Sequence, residues 1–356
     1  MKQKKTFASV IAPLAIPLIA IALLILFNLF RDPSFFSITT SVNSNGNLVI
    51  AGNLISILNS ASELAILAMG MTLVTAASGG QDIAVGATAA IAGSVFVKVI
   101  TGVGETSLWI VPVAFICCCL AAMLCGVFNG TLVSVFKIQP MIATLILFTC
   151  GRSIAYWVNG GATPNVHNPI VSAIGGFIPG VPVPTPIFIV IVVGILFALV
   201  FRFTTLGLLT QSVGINQRAA RLNGINSTLI KLLSFIILGV CCAVSGCIAV
   251  GRLSLINHET VLLGIEMDAI LAVAIGGNSL GGGKFRMVGS VLGAYAIQML
   301  TTTLYAMKVP STDVKAYKAI VIIILVVMGS RVVKEWASRV FGQLKKKEKT
   351  TAKEAA

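Results

Sequence analysis

Long apolar runs are the feature that most limits how this chain can fold. The segments 11–30, 186–201 and 232–250 contain no charged side chain. A helix needs roughly 20 apolar residues to cross the hydrocarbon core of a bilayer. Only 10% of the 356 residues are charged, whereas soluble domains carry about 25%. The sequence therefore predicts an integral membrane protein.

The length of these runs favours helices over a β-barrel, because barrel strands are short and alternate in polarity. We interpret the first run as a membrane helix and not as a cleaved signal peptide, since no small-residue cleavage site follows it. The predicted fold is all-α, a polytopic membrane protein with about ten transmembrane helices. The predicted spans are 9–30, 54–77, 84–101, 108–130, 132–156, 186–203, 231–251, 264–278, 288–306 and 318–330.

The distribution of Lys and Arg predicts the orientation in the membrane. With a cytoplasmic N-terminus, eighteen of the twenty-five basic residues fall on the inner side, as the positive-inside rule requires. We therefore predict that both termini are cytoplasmic, with an N-terminal segment 1–8, a membrane domain 9–330 and a basic tail 331–356. The net charge of +14 then reflects topology and attraction to anionic lipid, and nucleic-acid binding is a poor alternative.

No pattern in the chain indicates catalysis, a bound cofactor or a metal site. The eight cysteines form no C-x-x-C pair, and there are only two histidines, too few for a typical zinc site. The stretch "GGNSLGGGKF" resembles a phosphate-binding loop but fails it, because Asn278 stands at the first glycine position and Phe285 at the Ser/Thr position. We predict a cytoplasmic turn there. A channel, a secondary transporter or a subunit of a pump remains.

Acidic residues within the membrane would mark a transport pathway, because a charge there is costly. Glu63 is the one acid well inside a predicted span, and Asp82 lies in "SGGQDIAVG". This stretch fits either a helix interrupted in the pathway or a tight turn in which Asp82 caps the next helix. Glu266 and Asp268 are predicted in the first turn of a span, where the helix dipole favours acids.

A polar interruption, "VGINQRAARLNGIN" at residues 213–226, separates two apolar runs. Helical spacing places Ile215, Ala219 and Leu222 on one side and the two arginines on the other. With caps at its two ends, the segment predicts a helix of about eight residues, roughly 12 Å long, too short to span. A loop enriched in inner-side charge is the alternative. The residues of this predicted rod are Asn216, Gln217, Arg218, Ala219, Ala220, Arg221, Leu222, Asn223 and Gly224.

Four motifs occur in the order found in one family. "VGINQRAARLNGIN" resembles the cytoplasmic coupling segment of ABC-transporter permeases of the ribose and simple-sugar importer type, and "GMTLVTAASGGQDIAVG" is similar to another of their signatures. "KIQPMIATLILFTCGRSIA" and "EMDAILAVAIGGNSLGGGKFRMVGSVLGA" resemble the remaining blocks. The similarity covers about residues 50 to 330 and is nearest to the galactofuranose-type branch. Gln81 and Ala84 depart from the family pattern, in which Ile and Ser occupy those positions.

The resemblance implies a multi-pass subunit of the bacterial plasma membrane that imports a simple sugar and is not itself an enzyme. It also implies three partners: an ATPase with two nucleotide-binding domains that holds the ATP and Mg, an extracytoplasmic sugar-binding protein, and a second permease, identical or paralogous. The segment from Asn216 to Gly224 would contact the ATPase. Glu63, Gln81 and Asp82 are candidates for the translocation pathway. The alternatives are a non-sugar ligand, such as a nucleoside or a branched-chain amino acid, and an ion-coupled secondary carrier.

Overall fold

The computed structural model describes residues 14–42, 48–104 and 109–329. The chain divides into two compact units, the second of which begins at Leu304. The predicted N-terminal segment 1–8 and the basic tail 331–356 lie outside the described residues. The first predicted span is described from residue 14 onward.

The described residues are mostly helical, as the apolar runs predict. The helices are α1 (Ala15–Arg31), α2 (Asn53–Ser78), α3 (Val85–Val103), α4 (Ile110–Ser134), α5 (Pro140–Val158), α6 (Pro169–Gly175), α7 (Thr185–Phe203), α8 (Leu206–Ile215), α9 (Gln217–Leu222), α10 (Ser227–Leu253), α11 (Ile265–Ile275), α12 (Met287–Ala306) and α13 (Ser311–Gly329). Within the described ranges, seven of them are long and apolar enough to cross a membrane: α2, α3, α4, α5, α7, α10 and α12.

This count is lower than the predicted ten, and the bounds of three predicted spans differ clearly, among them 318–330, whose helix begins at Ser311. The span predicted at 264–278 is a helix of 11 residues, α11, about 16 Å long and too short to cross. The span predicted at 132–156 begins only at Pro140. Hydropathy does not locate the turn between α4 and α5 correctly, because apolar residues flank it on both sides.

The prediction of an all-α fold misses one small sheet. Strand β1 (Thr39–Val42) pairs antiparallel with β2 (Leu48–Ala51). The N–H of Ile50 in β2 also donates to the carbonyl of Pro182, which ties the hairpin to the segment before α7. Four-residue strands rich in β-branched side chains favour a sheet, but they are too short to register in a search for membrane helices.

The core of the first unit is formed by α2, α3 and α10. In these helices 67% to 72% of the most apolar stretch is buried, against 17% in α7. Small residues allow the close approach: a Cβ on Gly246 of α10 would lie 2.6 Å from the carbonyl oxygen of Ala89 in α3. Such contacts between small residues are the usual means of helix association in a membrane. They make the three helices a rigid base for the two polar regions described next.

Candidate functional site

The polar interruption forms a short helix, α9, with the cap that its sequence predicts. The side-chain oxygen of Asn216 accepts hydrogen bonds from the N–H groups of Arg218 and Ala219 at 3.0 and 3.1 Å. At the other end Gly224 has a φ of +78°, and the Ile225 N–H donates to the carbonyl of Ala220 at 3.0 Å. Glycine adopts this left-handed conformation without a steric penalty. The helix has six residues instead of the predicted eight.

Two large apolar side chains at α9 are exposed in the described part of the chain. Leu222 is 90% exposed and Ile215, just before the helix, is 73% exposed. Ala220 is the buried residue of the helix. Large apolar side chains that stay exposed beside polar ones mark a surface for a partner or a membrane.

The polar side of α9 is hydrogen-bonded to the start of α10. The Ser227 hydroxyl accepts from Nε of Arg221 at 2.7 Å and from the amide of Gln217 at 3.1 Å. Lys231 Nζ donates to the Gln217 side-chain oxygen at 2.9 Å. These bonds fix α9 to a long membrane helix, so a displacement of α9 would be passed to α10.

A second connection runs from α8, which leads into α9, to the end of α2. Gly214 lies so close to α2 that a Cβ there would overlap the carbonyl oxygen of Ala76. The same carbonyl accepts a hydrogen bond from the N–H of Gly283 at 3.1 Å. The end of α8, just before α9, therefore meets both α2 and the loop between α11 and α12 at the Ala76 carbonyl.

The stretch "SGGQDIAVG" is a buried turn between α2 and α3. Gly79 ends α2 in the left-handed conformation. The Gln81 amide donates to the carbonyl of Leu280 at 2.8 Å, and the Ile83 N–H donates to the Thr144 hydroxyl at 3.1 Å. Gln81, which departs from the family pattern, therefore links this turn to the glycine-rich loop.

Asp82 is buried in this turn but does not cap α3 as predicted, because the N-cap residue is Ala84 and no side chain caps the helix there. Its Oδ1 accepts from the N–H of Ala84 at 2.7 Å, one residue before α3 begins. Its Oδ2 accepts from the Asn129 amide of α4 at 3.3 Å. The carboxylate thus joins the start of α3 to α4.

Glu63 is buried in α2 and forms an ion pair with Arg252 at the end of α10. The distance between Glu63 Oε1 and Arg252 Nε is 3.0 Å. The guanidinium also donates to the carbonyl oxygen of Asn59 at 2.6 Å. Both side chains line a cavity of about 240 Å³, together with Asn257 and Thr260. Polar groups are therefore available beside the pair for a polar ligand.

The glycine-rich stretch is a turn between α11 and α12, as predicted. Gly277, Gly282 and Gly283 have positive φ values. Asn278 holds the turn closed, since its oxygen accepts from the Arg286 N–H at 2.7 Å and its amide donates to the Ser290 hydroxyl at 2.8 Å. No phosphate-binding role is needed to explain these glycines.

The two acids at the start of α11 have the predicted placement. Both Glu266 and Asp268 lie in the first turn of α11. Within the described residues, no three His, Cys, Asp or Glu side chains come close enough together to hold a metal ion.

Comparison with known proteins decides the family. Residues 53–329 match the family described as "Branched-chain amino acid transport system / permease component". The chain belongs to this permease family. The match includes α2 to α13, and with them the coupling segment, the buried turn and the glycine-rich loop.

Relatives of this permease are found over nearly its whole length. It is 37% identical to the galactofuranose transporter permease protein of Escherichia coli (strain K12), covering 88% of this chain and 89% of the relative. It is 32% identical to the fructose import permease protein of Bifidobacterium longum (87% and 86%). It is 33% identical to the ribose import permease protein of E. coli K12 (88% and 92%). No solved structure was found to match.

The permease is therefore a transport subunit and not an enzyme, and a multi-pass protein of the bacterial inner membrane. Sequence reasoning missed several partners of its predicted residues: Arg252 for Glu63, Asn129 for Asp82, and Ser227 and Lys231 for the coupling segment. A cation directly after the predicted span 231–251 is a signal that could have identified Arg252. Asn129 has no such signal, because only packing brings α4 beside the turn.

Proposed function

We propose that this permease carries a simple sugar across the membrane as part of an ATP-driven importer supplied by a binding protein. The observation that carries the proposal is the similarity, at 32% to 37% identity and over most of each chain, to permeases for galactofuranose, fructose and ribose. A pentose or hexose is the expected cargo, with galactofuranose as the first candidate. The family description names branched-chain amino acids, so these are the second candidate.

We propose that the working transporter contains this permease and three partners. An ATPase with two nucleotide-binding domains binds ATP and Mg, an extracytoplasmic protein delivers the sugar, and this chain pairs with an identical or paralogous permease. Ten crossings with both termini in the cytoplasm remain our proposed topology, in which the eighth crossing combines the short helix α11 with the non-helical residues on either side of it. It is supported by the eighteen basic residues on the proposed inner side and by the seven apolar helices found among the described residues.

We assign the contact with the ATPase to Asn216–Gly224. The exposed Ile215 and Leu222 supply an apolar surface that a groove on the ATPase would cover. Movement of this segment would reach the membrane through two routes, the hydrogen bonds to Ser227 and the close contact of Gly214 with Ala76. Both routes end on helices of the buried core.

For the pathway we propose different roles for the three candidate residues. Glu63 lines the cavity beside Arg252, where hydroxyl-rich cargo could exchange hydrogen bonds with polar side chains. Gln81 and Asp82 have their polar atoms engaged within the protein. We therefore give them a positioning role in the turn between α2 and α3.

Charge reversal in the coupling segment tests its role. We expect Arg218→Glu with Arg221→Glu to abolish sugar-stimulated ATP hydrolysis and sugar uptake in proteoliposomes that contain the ATPase and the binding protein. The reason is that acids would replace the cations beside the exposed apolar side of α9 and weaken the fit to the ATPase. Arg202→Glu, a change at an exposed cation of α7 outside the segment, is the matched control. Normal coupled uptake by the double variant would contradict the assignment.

The cargo is tested with the proteins that accompany the permease. Purification in mild detergent should recover the ATPase and the binding protein. A screen of pentoses, hexoses and branched-chain amino acids against the binding protein should then find a sugar that raises its melting temperature, because a ligand that binds only the folded state stabilises it. If only leucine or valine raised the melting temperature of the binding protein, a branched-chain amino acid would replace a sugar as the proposed cargo.

A further inference from the structure

A cleft of about 600 Å³ opens beside α9, against the turn between α4 and α5 and the start of α10. Four of its described lining residues are cationic, and none of them is acidic: Lys137, Arg218, Arg221 and Lys231. Four like charges around one space repel each other unless an anion enters. The orientation of the chain in the membrane therefore does not by itself explain why four cations line one cleft.

Two of these cations are held in place by neighbouring side chains. Arg221 uses Nε for its bond to the Ser227 hydroxyl, and Lys231 uses one N–H for its bond to Gln217. A guanidinium has five N–H donors and an ammonium three. The remaining donors of both groups are left for an occupant, and little side-chain freedom would be lost on binding.

A third cation comes from the turn after α4. Lys137 has a φ of +58°, in a turn where the Ile138 N–H donates to the carbonyl of Leu132 at 3.1 Å. Glycine is the usual residue at such a position because a Cβ is disfavoured there. A lysine at this point costs some stability and places a long cationic side chain at the wall of the cleft.

A buried hydroxyl in the same wall also lacks a partner. Ser134 is 3% exposed, lines the cleft, and its hydroxyl oxygen has no hydrogen-bond partner among the described residues. Buried polar groups are normally satisfied. The adjacent Gln139 and Pro140 begin α5, a helix of 19 residues whose N-terminal end adds positive potential to this side of the cleft.

We propose that this cleft binds a phosphate group, carried either by the headgroup of an anionic lipid or by a small soluble compound. Phosphate oxygens accept several hydrogen bonds at once, and Arg and Lys form strong charge-assisted bonds with them. The unpartnered Ser134 hydroxyl lies in the wall of the same space and is buried, so a small movement of its side chain would let it donate to a bound phosphate. The inference does not depend on which cargo the permease carries, and the bound phosphate would stabilise the junction between α9, α10 and the α4–α5 turn.

The test measures the melting midpoint of the full chain in a neutral detergent. In one arm inorganic phosphate is titrated against chloride at equal ionic strength, and in the other phosphatidylglycerol is compared with phosphatidylcholine. We expect at least one phosphate source to raise the midpoint by several degrees. The double variant with Lys137→Gln and Lys231→Gln changes two residues outside α9. It should raise the apparent Kd for phosphate at least about tenfold, because the loss of one charge-assisted hydrogen bond weakens binding by about that factor.

Two controls keep the result interpretable. Lys284→Gln removes an exposed lysine that does not line the cleft and should keep the full response. Lys137→Arg with Lys231→Arg keeps the charge and should also respond. If the double Gln variant melts early in chloride, Lys137→Gln alone is used, because this side chain is exposed and its loss leaves packing intact.

The pattern of responses identifies the source or overturns the proposal. A response to both ligands shows recognition of the phosphate group itself. A response to the lipid alone assigns a lipid headgroup, and one to inorganic phosphate alone assigns a soluble compound. The proposal is overturned if neither ligand shifts the wild-type midpoint, or if the double Gln variant responds as the wild type does. An acidic side chain of a partner protein would then be the better occupant for the cleft.

Discussion

At the scale of single residues, the two buried acids proposed as pathway candidates, Glu63 and Asp82, are engaged with internal partners. Glu63 pairs with Arg252, and Asp82 accepts from Ala84 and Asn129. A buried acid with such partners holds elements together, whereas an ion-coupled site needs an acid that is free to bind its ion. The contacts therefore favour a structural role for Asp82, although its sequence context alone allows both roles.

Substitution of Asp82 separates these roles. Asp82→Ala leaves a buried N–H and a buried amide without their acceptor, and we expect a loss of roughly 1 to 3 kcal/mol in the free energy of unfolding. Asp82→Asn retains a carbonyl oxygen for the Ala84 N–H and should lose less. Thermal unfolding in mild detergent is the measurement. If Asp82→Asn were as stable as the wild type but failed to transport, a direct role in the pathway would replace the structural role in the turn.

At the scale of elements, the connection between the coupling segment and the core depends on a contact of glycine with backbone. A Cβ on Gly214 of α8 would overlap the Ala76 carbonyl of α2. The sequence marks residues 213–226 as polar and cytoplasmic, but it does not show that α8 rests on the end of α2. That contact arises from packing between residues more than a hundred positions apart.

Gly214→Ala should therefore destabilise the protein and impair coupling. In a helix without tertiary contact, the change from Gly to Ala adds up to about 1 kcal/mol of stability, whereas forced overpacking costs about 1 to 3 kcal/mol. The sign of the change in melting midpoint thus decides whether the contact matters. Gly194→Ala in α7, where a Cβ would meet nothing within 4 Å, is the matched control and should be neutral or stabilising. A stabilised Gly214→Ala variant with normal uptake would contradict the proposed route.

At the largest scale, the first compact unit contains helices that are mostly buried and helices that are mostly exposed. The apolar stretch of α10 is 72% buried and that of α7 is 17% buried. The exposed apolar surface of helices such as α7 is what a helix in contact with lipid requires. Among the described residues, the glycine-rich stretch serves as a turn and not as a nucleotide-binding loop.

Uptake by the assembled transporter should accordingly depend on ATP and not on ion gradients. We expect vesicles that contain the permease, its ATPase and the binding protein to accumulate sugar when ATP is present, and ionophores that collapse the proton and sodium gradients to leave the rate unchanged. Radiolabelled sugar uptake with a non-hydrolysable ATP analogue as control provides the measurement. Loss of uptake on addition of an ionophore would restore the ion-coupled carrier as the better hypothesis.

The sequence by itself determined the membrane class, the bounds of most long helices, the capped rod at Asn216 and the family, because these depend on local hydropathy, local hydrogen bonds and ordered motifs. Tertiary structure alone decided the contact of Asp82 with Asn129, the Glu63–Arg252 pair and the cationic cleft. Each of these joins residues distant in the chain, and hydropathy contains no information about which helices become neighbours. Lys137 and Lys231 illustrate the difference: alone they are inner-side charges, and only the packing of α4, α9 and α10 brings them to one cleft.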